Sequence, residues 1–336
     1  MSSSLRKSKI VLTNYTSREW EHPTDRAALD VLRSIPGLDS LLQTLMGGTT
    51  ERSLRQVTLA SAVRVTPQQF GRIYRMVEES CRILNAKEQP ETFISQNPFL
   101  NAGAVGVSKP FIVLNSALVQ QCTDEELLAV VAHELGHILS GHVLYKTLLS
   151  MLLKFTMSAF SIPLGQTALI ALVGALREWD RKSELTADRA GLLVVQEPMI
   201  SYNVLMKLAG GPFLAEMDIY EFFKQAQEYE QGDSLKDSFL KFFNEFDATH
   251  PFPVTRLTKL KMWVDSGEYQ HILDGSAPKQ SDSTFESFSK ASSSYKEDFS
   301  MSKDQLTSIV SSVISTVEDT ASKTKNTVQD WFTNKK

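Results

Sequence analysis

Apolar positions fall into distinct regimes along the chain. Phe70, Ile73, Tyr74, Val77, Cys81 and Leu84 recur at helical spacing and form one stripe. Thr66-Pro67-Gln68-Gln69 predicts its start: Thr as cap, Pro at the first helical position, Gln three residues after the cap. A second helix is predicted from about Thr24 toward Ile35, where Pro36-Gly37 stops it. Between Leu38 and Ala62 the Gly47-Gly48 break interrupts the apolar residues, and the pattern supports no assignment. From Thr92 to Leu118 the spacing changes to short apolar runs punctuated by Asn97-Pro98, Gly103, Gly106 and Lys109-Pro110. That predicts two or three short strands, including Phe111 to Leu114. Beyond this point the chain reads as helical almost to its end. The expected fold class is therefore α+β, mostly helical with a small β-sheet.

The same pattern divides the chain. A helical extension is expected over 1–65 and the main domain over 66–275. Within the latter, an apolar helical hairpin covers about 147–176, bent near Pro163-Leu164-Gly165. A Ser-rich linker follows over 276–302. Over 303–336, Leu306, Ile309, Val310, Val313, Ile314 and Val317 keep helical spacing opposite a Ser/Thr-rich face. This amphipathic helix lacks the Lys/Arg excess of membrane-surface helices, which favours docking on a partner or packing back on the body of the chain.

Composition narrows the functional classes. The chain has 336 residues, 42% apolar and 22% charged, which is ordinary for a globular protein. A net charge of -4 argues against nucleic acid as a partner, because nucleic-acid binders need a basic surface to displace counterions. Two cysteines without metal-type spacing fit reduced thiols in a cytoplasmic setting. The polar, basic start is not followed by the apolar run of a secretory signal.

The chemistry begins at Thr123-Asp124-Glu125-Glu126, a capping box with acidic residues at the positive end of the helix dipole. The helix it opens is apolar on most sides, yet it carries His133-Glu134-Leu135-Gly136-His137. His133 and His137 are four apart, so both imidazoles leave one face and can bind one ion. Glu134 projects about 100° away and can reach a metal-bound water without being a ligand. Two neutral nitrogens to hold Zn²⁺, and a carboxylate to take a proton, is the division of labour of a hydrolase. Burying three ionisable groups in such a helix is costly unless a metal offsets it. His142, five past His137, is rotated off the ligand face of a straight helix and reads as a helix-end histidine. Glu184 is the better third ligand. It lies four before Asp188, flanked by the small residues Ala187, Ala190 and Gly191 that allow close helix approach. Asp188 can accept a hydrogen bond from a ligand histidine and fix its tautomer.

With these residues in place, the chain resembles the HtpX and CAAX-prenyl-protease type of gluzincin peptidases. The resemblance rests on His-Glu-x-x-His followed by Glu-x-x-x-Asp, and it covers roughly Phe70 to Val264. It implies a zincin-like peptidase domain with one Zn²⁺ per chain, acting on protein or peptide substrates, with protein quality control as a setting. It also implies that the strand before the zinc helix presents a free edge to an extended peptide, with Asn101 and Ala102 binding substrate. By the same resemblance, His250 in Thr249-His250-Pro251 supports the oxyanion, and Arg256 contacts substrate.

Many members of that family span membranes. Phe155 to Leu176 is uncharged and long enough to cross once, but a single crossing would put Glu184 on the wrong side of His137. Two crossings need about 40 apolar residues and a turn, more than this stretch supplies. The expectation is an enzyme without a spanning segment. Peripheral membrane contact through the 147–176 hairpin or the C-terminal helix stays open. The first reading is thus a zinc metalloendopeptidase with Glu134 as general base. The alternative is a catalytically idle, zinc-containing relative that binds proteins or membranes.

Overall fold

The computed structural model describes residues 8–13, 15–34, 38, 42, 48–158, 166–231 and 252–277. The expected bend near Pro163, His250, the Ser-rich linker beyond Ala277 and the C-terminal helix lie outside the described residues. In chain order the elements are α1 (Pro23–Arg33), α2 (Gly48–Ser61), β1 (Ala62–Arg64), α3 (Gly71–Ile83), β2 (Thr92–Ser95), β3 (Ala102–Val105), β4 (Phe111–Asn115), α4 (Ser116–Gln121), α5 (Asp124–Leu139), α6 (Val143–Ser158), α7 (Gln166–Val195), α8 (Pro198–Gly210), α9 (Ile219–Gln231), α10 (Pro253–Asp265) and α11 (Glu268–Leu273).

The fold is mostly helical α+β. Its one described sheet has the order β1-β2-β4-β3. The inner strands β2 and β4 are parallel, and the outer strands β1 and β3 run antiparallel to their neighbours. The inner strands are buried and apolar, as strands covered on both faces must be. Phe93 and Phe111 meet edge to face between them, ring centroids 5.6 Å apart. β3 is left at one edge, where Ala102 pairs with Leu114. β1 was not expected. Three residues with Val63 largely exposed are too short to show alternation.

The start of α3 differs from its sequence expectation. Thr66 and Gln69 exchange two backbone hydrogen bonds, at 2.8 and 3.1 Å, and close a tight turn. The Gln69 amide donates to Arg64 O at 2.6 Å instead of returning to Thr66. Phe70 then takes a left-handed φ of 56°, so the helix begins only at Gly71. Phe70 stays outside the core, whereas Ile73, Val77, Cys81 and Leu84 enter it.

α5 occupies the centre, packed against α3, α7, α8, β3 and β4. Its approach to α7 is close because small residues line both sides. A Cβ on Gly136 would stand 2.6 Å from Ala190 Cβ and 3.3 Å from Ala187 Cα. A Cβ on Gly191 would stand 3.0 Å from Ala129 O. Gly136→Ala should therefore destabilise the protein. Overpacking costs about 1–3 kcal/mol, against a helix-propensity gain of at most about 1 kcal/mol. A thermal melt reads the sign directly, and an unchanged or raised midpoint would refute the close contact.

The N-terminal stretch shares this core. Leu12 and Trp20 join the main cluster, while Leu29 and Leu32 pack with Tyr145, Leu148, Leu176 and Trp179 in a second one. α1 starts with Pro23 in its first turn and His22 as cap. His22 Nδ1 accepts from Thr24 N at 3.3 Å and faces Thr24 Oγ1 at 2.7 Å. Burial, reinforced by the positive charge of Arg189, lowers the His22 pKa from 6.5 to about 3. Unfolding restores the higher value, so the unfolded chain binds the proton first. The stabilisation is complete above pH 6.5 and is lost as pH falls toward 3, by at most about 1.4 kcal/mol per pH unit. His22→Asn keeps a capping side chain without this titration. Its midpoint should fall less steeply than wild type between pH 6.5 and 4, and parallel profiles would refute the assignment.

No single helix among the described residues is long and apolar enough to cross a membrane. α5 and Val143–Leu153 of α6 together meet the length and composition, but they meet at 92°. Their apolar side chains, such as Leu127, Val131, Leu148 and Leu152, lie in the protein core.

Candidate active site

α5 is fixed at both ends. Thr123 Oγ1 accepts from Glu126 N at 3.2 Å, and Glu126 Oε2 accepts from Thr123 N at 2.7 Å, which satisfies two otherwise orphaned N–H groups. The buried Glu126 also takes Lys207 of α8 at 2.6 Å, tying the cap to a neighbouring helix. At the other end Gly141 has φ 73°. His142 N donates to His137 O at 3.0 Å, and Gly141 N to Ile138 O at 3.1 Å. This pairing is a Schellman closure, which folds the residue after the glycine back over the last turn.

Between these ends α5 presents His133 and His137, and α7 presents Glu184 and Asp188. His133 Nε2 stands 3.3 Å from Glu184 Oε2, and His137 Nε2 stands 3.3 Å from Glu184 Oε1. One donor atom from each of His133, His137 and Glu184 lies within 4.8 Å of the other two. Two nitrogens and one carboxylate oxygen at this spacing fit a metal ion, and catalytic zinc sites commonly use that donor set. Among the described residues no other group of this kind occurs.

A ring of charges surrounds the donors. Asp188 Oδ1 lies 3.1 Å from His133 Nδ1. Arg256 of α10 donates to Asp188 twice, from Nε to Oδ2 at 2.8 Å and from Nη2 to Oδ1 at 2.6 Å. Its Nη1 stands 3.3 Å from Glu184 Oε2. Lys146 of α6 donates to Glu184 Oε1 at 2.7 Å and to Asp180 at 2.6 Å. Glu184 is thus held from opposite sides by two cations. Burial works against charge on His133, but hydrogen bonds with Asp188 and Glu184 outweigh it and raise its pKa to about 9. Burial, with Lys146 nearby, holds His137 well below 6.5. Burial also opposes charge on Asp188, yet Arg256 keeps its carboxyl below the usual range.

His133 and Glu184 open into a cleft of about 600 Å³. Glu134, 4% exposed, lines it beside His133 and Glu184. Asn101 and Ala102, where β3 begins, line the same cleft. The rest of the wall is largely apolar, with Leu118, Val130, Val204 and Leu205 among its residues. Arg256, expected to meet substrate, reaches the cleft wall, but its guanidinium is committed to Asp188 and Glu184.

Two groups beside the donors escaped the sequence reading. Lys146 is one of two lysines in the otherwise largely apolar α6, and nothing local marks its partner. His142 was read as a helix-end histidine; it is fully buried, with Nδ1 3.0 Å from His137 Nδ1. The signal that points to it is Gly141, whose left-handed turn brings His142 back to the face that the helical wheel excludes.

Peptidase family M48 matches residues 67–264. The chain belongs to this metallopeptidase family. The plastoglobule-localized metallopeptidase 48 of Arabidopsis thaliana, a chloroplast protein, is 35% identical over 270 residues, covering 79% of this chain and 77% of the relative. A protease HtpX homolog from Tropheryma whipplei is 24% identical over 61% of this chain and 77% of its own length. Another, from Sulfurisphaera tokodaii, is 33% identical over 30% of each. No solved structure matches. As an M48 peptidase the chain is expected to need its metal, and the His133-His137-Glu184 cluster is where the described residues can hold one.

Proposed function

We propose that this M48 peptidase is a zinc-dependent endopeptidase acting on extended segments of protein chains, as in protein quality control. The observation that carries the reading is the placement of Glu134 in one cleft with two of the three metal donors, His133 and Glu184, and with the start of an edge strand. His133, His137 and Glu184 would hold the ion. Bound zinc supplies Lewis acidity to the scissile carbonyl and to the attacking water.

The chain's own residues supply the remainder. Glu134 accepts the proton of the attacking water and delivers it to the leaving amine. An extended peptide adds to the free edge of β3, where backbone hydrogen bonds fix its direction past Asn101 and Ala102. The apolar wall beyond Val130 receives a nonpolar side chain and excludes water. Asp188 holds the His133 ring, and Arg256 holds Asp188, so Arg256 acts by positioning. His250 keeps the oxyanion-supporting role that the family resemblance gives it.

Incubating the zinc-loaded full-length chain with casein tests this reading. Internal cleavage products, seen by mass spectrometry, are expected. Trimming from one terminus alone would replace endopeptidase with exopeptidase. Bound zinc without any cleavage would favour the idle relative.

A further inference from the structure

The residues behind His137 form a chain of polar groups that begins outside the segment matched by the family. Asp25 belongs to α1 and is 1% exposed. Its Oδ1 accepts from the Trp179 indole at 3.1 Å, and its Oδ2 accepts from Thr186 Oγ1 at 2.5 Å. Oδ2 also lies 3.0 Å from His142 Nε2, a buried nitrogen that makes no hydrogen bond among the described residues. The Schellman closure at Gly141 then sets His142 Nδ1 3.0 Å from His137 Nδ1.

Proton bookkeeping along this chain has one solution. His137 presents the Nε2 lone pair to a metal only when its hydrogen is on Nδ1. That hydrogen needs an acceptor, which is His142 Nδ1. His142 must then carry its hydrogen on Nε2, facing Asp25, and a carboxylate can only accept. The opposite tautomer of His142 would set two N–H groups against each other. We propose that Asp25, acting through His142, fixes His137 in the tautomer and orientation that present Nε2 to the metal. Each ligand histidine then has its own carboxylate: Asp188 directly for His133, Asp25 through one imidazole for His137. The N-terminal segment is in this way part of the metal centre.

The inference rests on His133, His137 and Glu184 being the metal ligands. It is tested by Zn²⁺ affinity of the full-length chain, measured by chelator competition with melting followed in parallel. Asp25→Asn keeps the volume but brings a donor into a site where every neighbour donates. It should weaken Zn²⁺ binding by about 10–100-fold, the usual cost of losing such a supporting group. His142→Leu should lose a similar factor. His142→Gln carries an acceptor and a donor on one planar group, and should bind about tenfold more tightly than His142→Leu. A purely packing role would treat Leu and Gln alike. Wild-type affinity in Asp25→Asn, or equal affinities in the two His142 variants, overturns the proposal. Should Asp25→Asn fail to fold, the His142 pair decides alone. If wild type itself binds no zinc, the ligand assignment fails, and this inference with it.

Discussion

Glu134→Gln should leave zinc bound and remove hydrolysis. The amide has nearly the same shape, so a residue 4% exposed in a packed helix is replaced without a cavity. It cannot take a proton from water. General-base catalysis contributes typically 10²–10⁴-fold, so kcat should fall by about that factor. Zinc content and melting temperature should match wild type, because Glu134 is not among the three donors. Hydrolysis within a fewfold of wild type would move the base elsewhere. Loss of zinc together with activity would instead make Glu134 part of the metal-holding set.

Glu184→Ala should have the opposite signature. It removes one donor of three and also the carboxylate that lies between Lys146 and Arg256. The zinc affinity should drop by more than the roughly 10–100-fold cost of losing a supporting group. A stability loss accompanies it, since a buried ion pair that loses one partner typically costs about 3–5 kcal/mol. The loss should fall at the low end, because Lys146 keeps Asp180 and Arg256 keeps Asp188. Zinc analysis of the purified variant and a thermal melt measure the two effects separately. Full zinc occupancy would remove Glu184 from the ligand set.

These two residues were legible for a simple reason. Helical periodicity fixes which residues share a face, so His133 with His137, and Glu184 with Asp188, are decided by spacing alone. Ala187, Ala190, Gly136 and Gly191 then announce two helices in near-backbone contact. What spacing cannot supply is a partner from a distant element. Asp25 reaches the centre from α1, and Lys146 from α6, through contacts that no local pattern encodes. His142 does lie at the helix end, but its contact with His137 is not legible on a helical wheel, because a left-handed Gly141 reverses the chain there. The start of α3 failed for a related reason. Thr66 and Gln69 satisfied each other in a turn, and the capping signal stopped short of the helix. Strand β1 was invisible because its pairing with β2, and not its own residues, makes it a strand.

Zinc titration of the chelator-stripped full-length chain, read by casein hydrolysis, tests the central claim most directly. Activity should be absent without metal, rise with added zinc, and saturate near about one ion per chain, as one three-ligand site requires. Hydrolysis that persists after complete chelation, or that zinc never restores to a chain still folded, would contradict a catalytic metal at His133, His137 and Glu184.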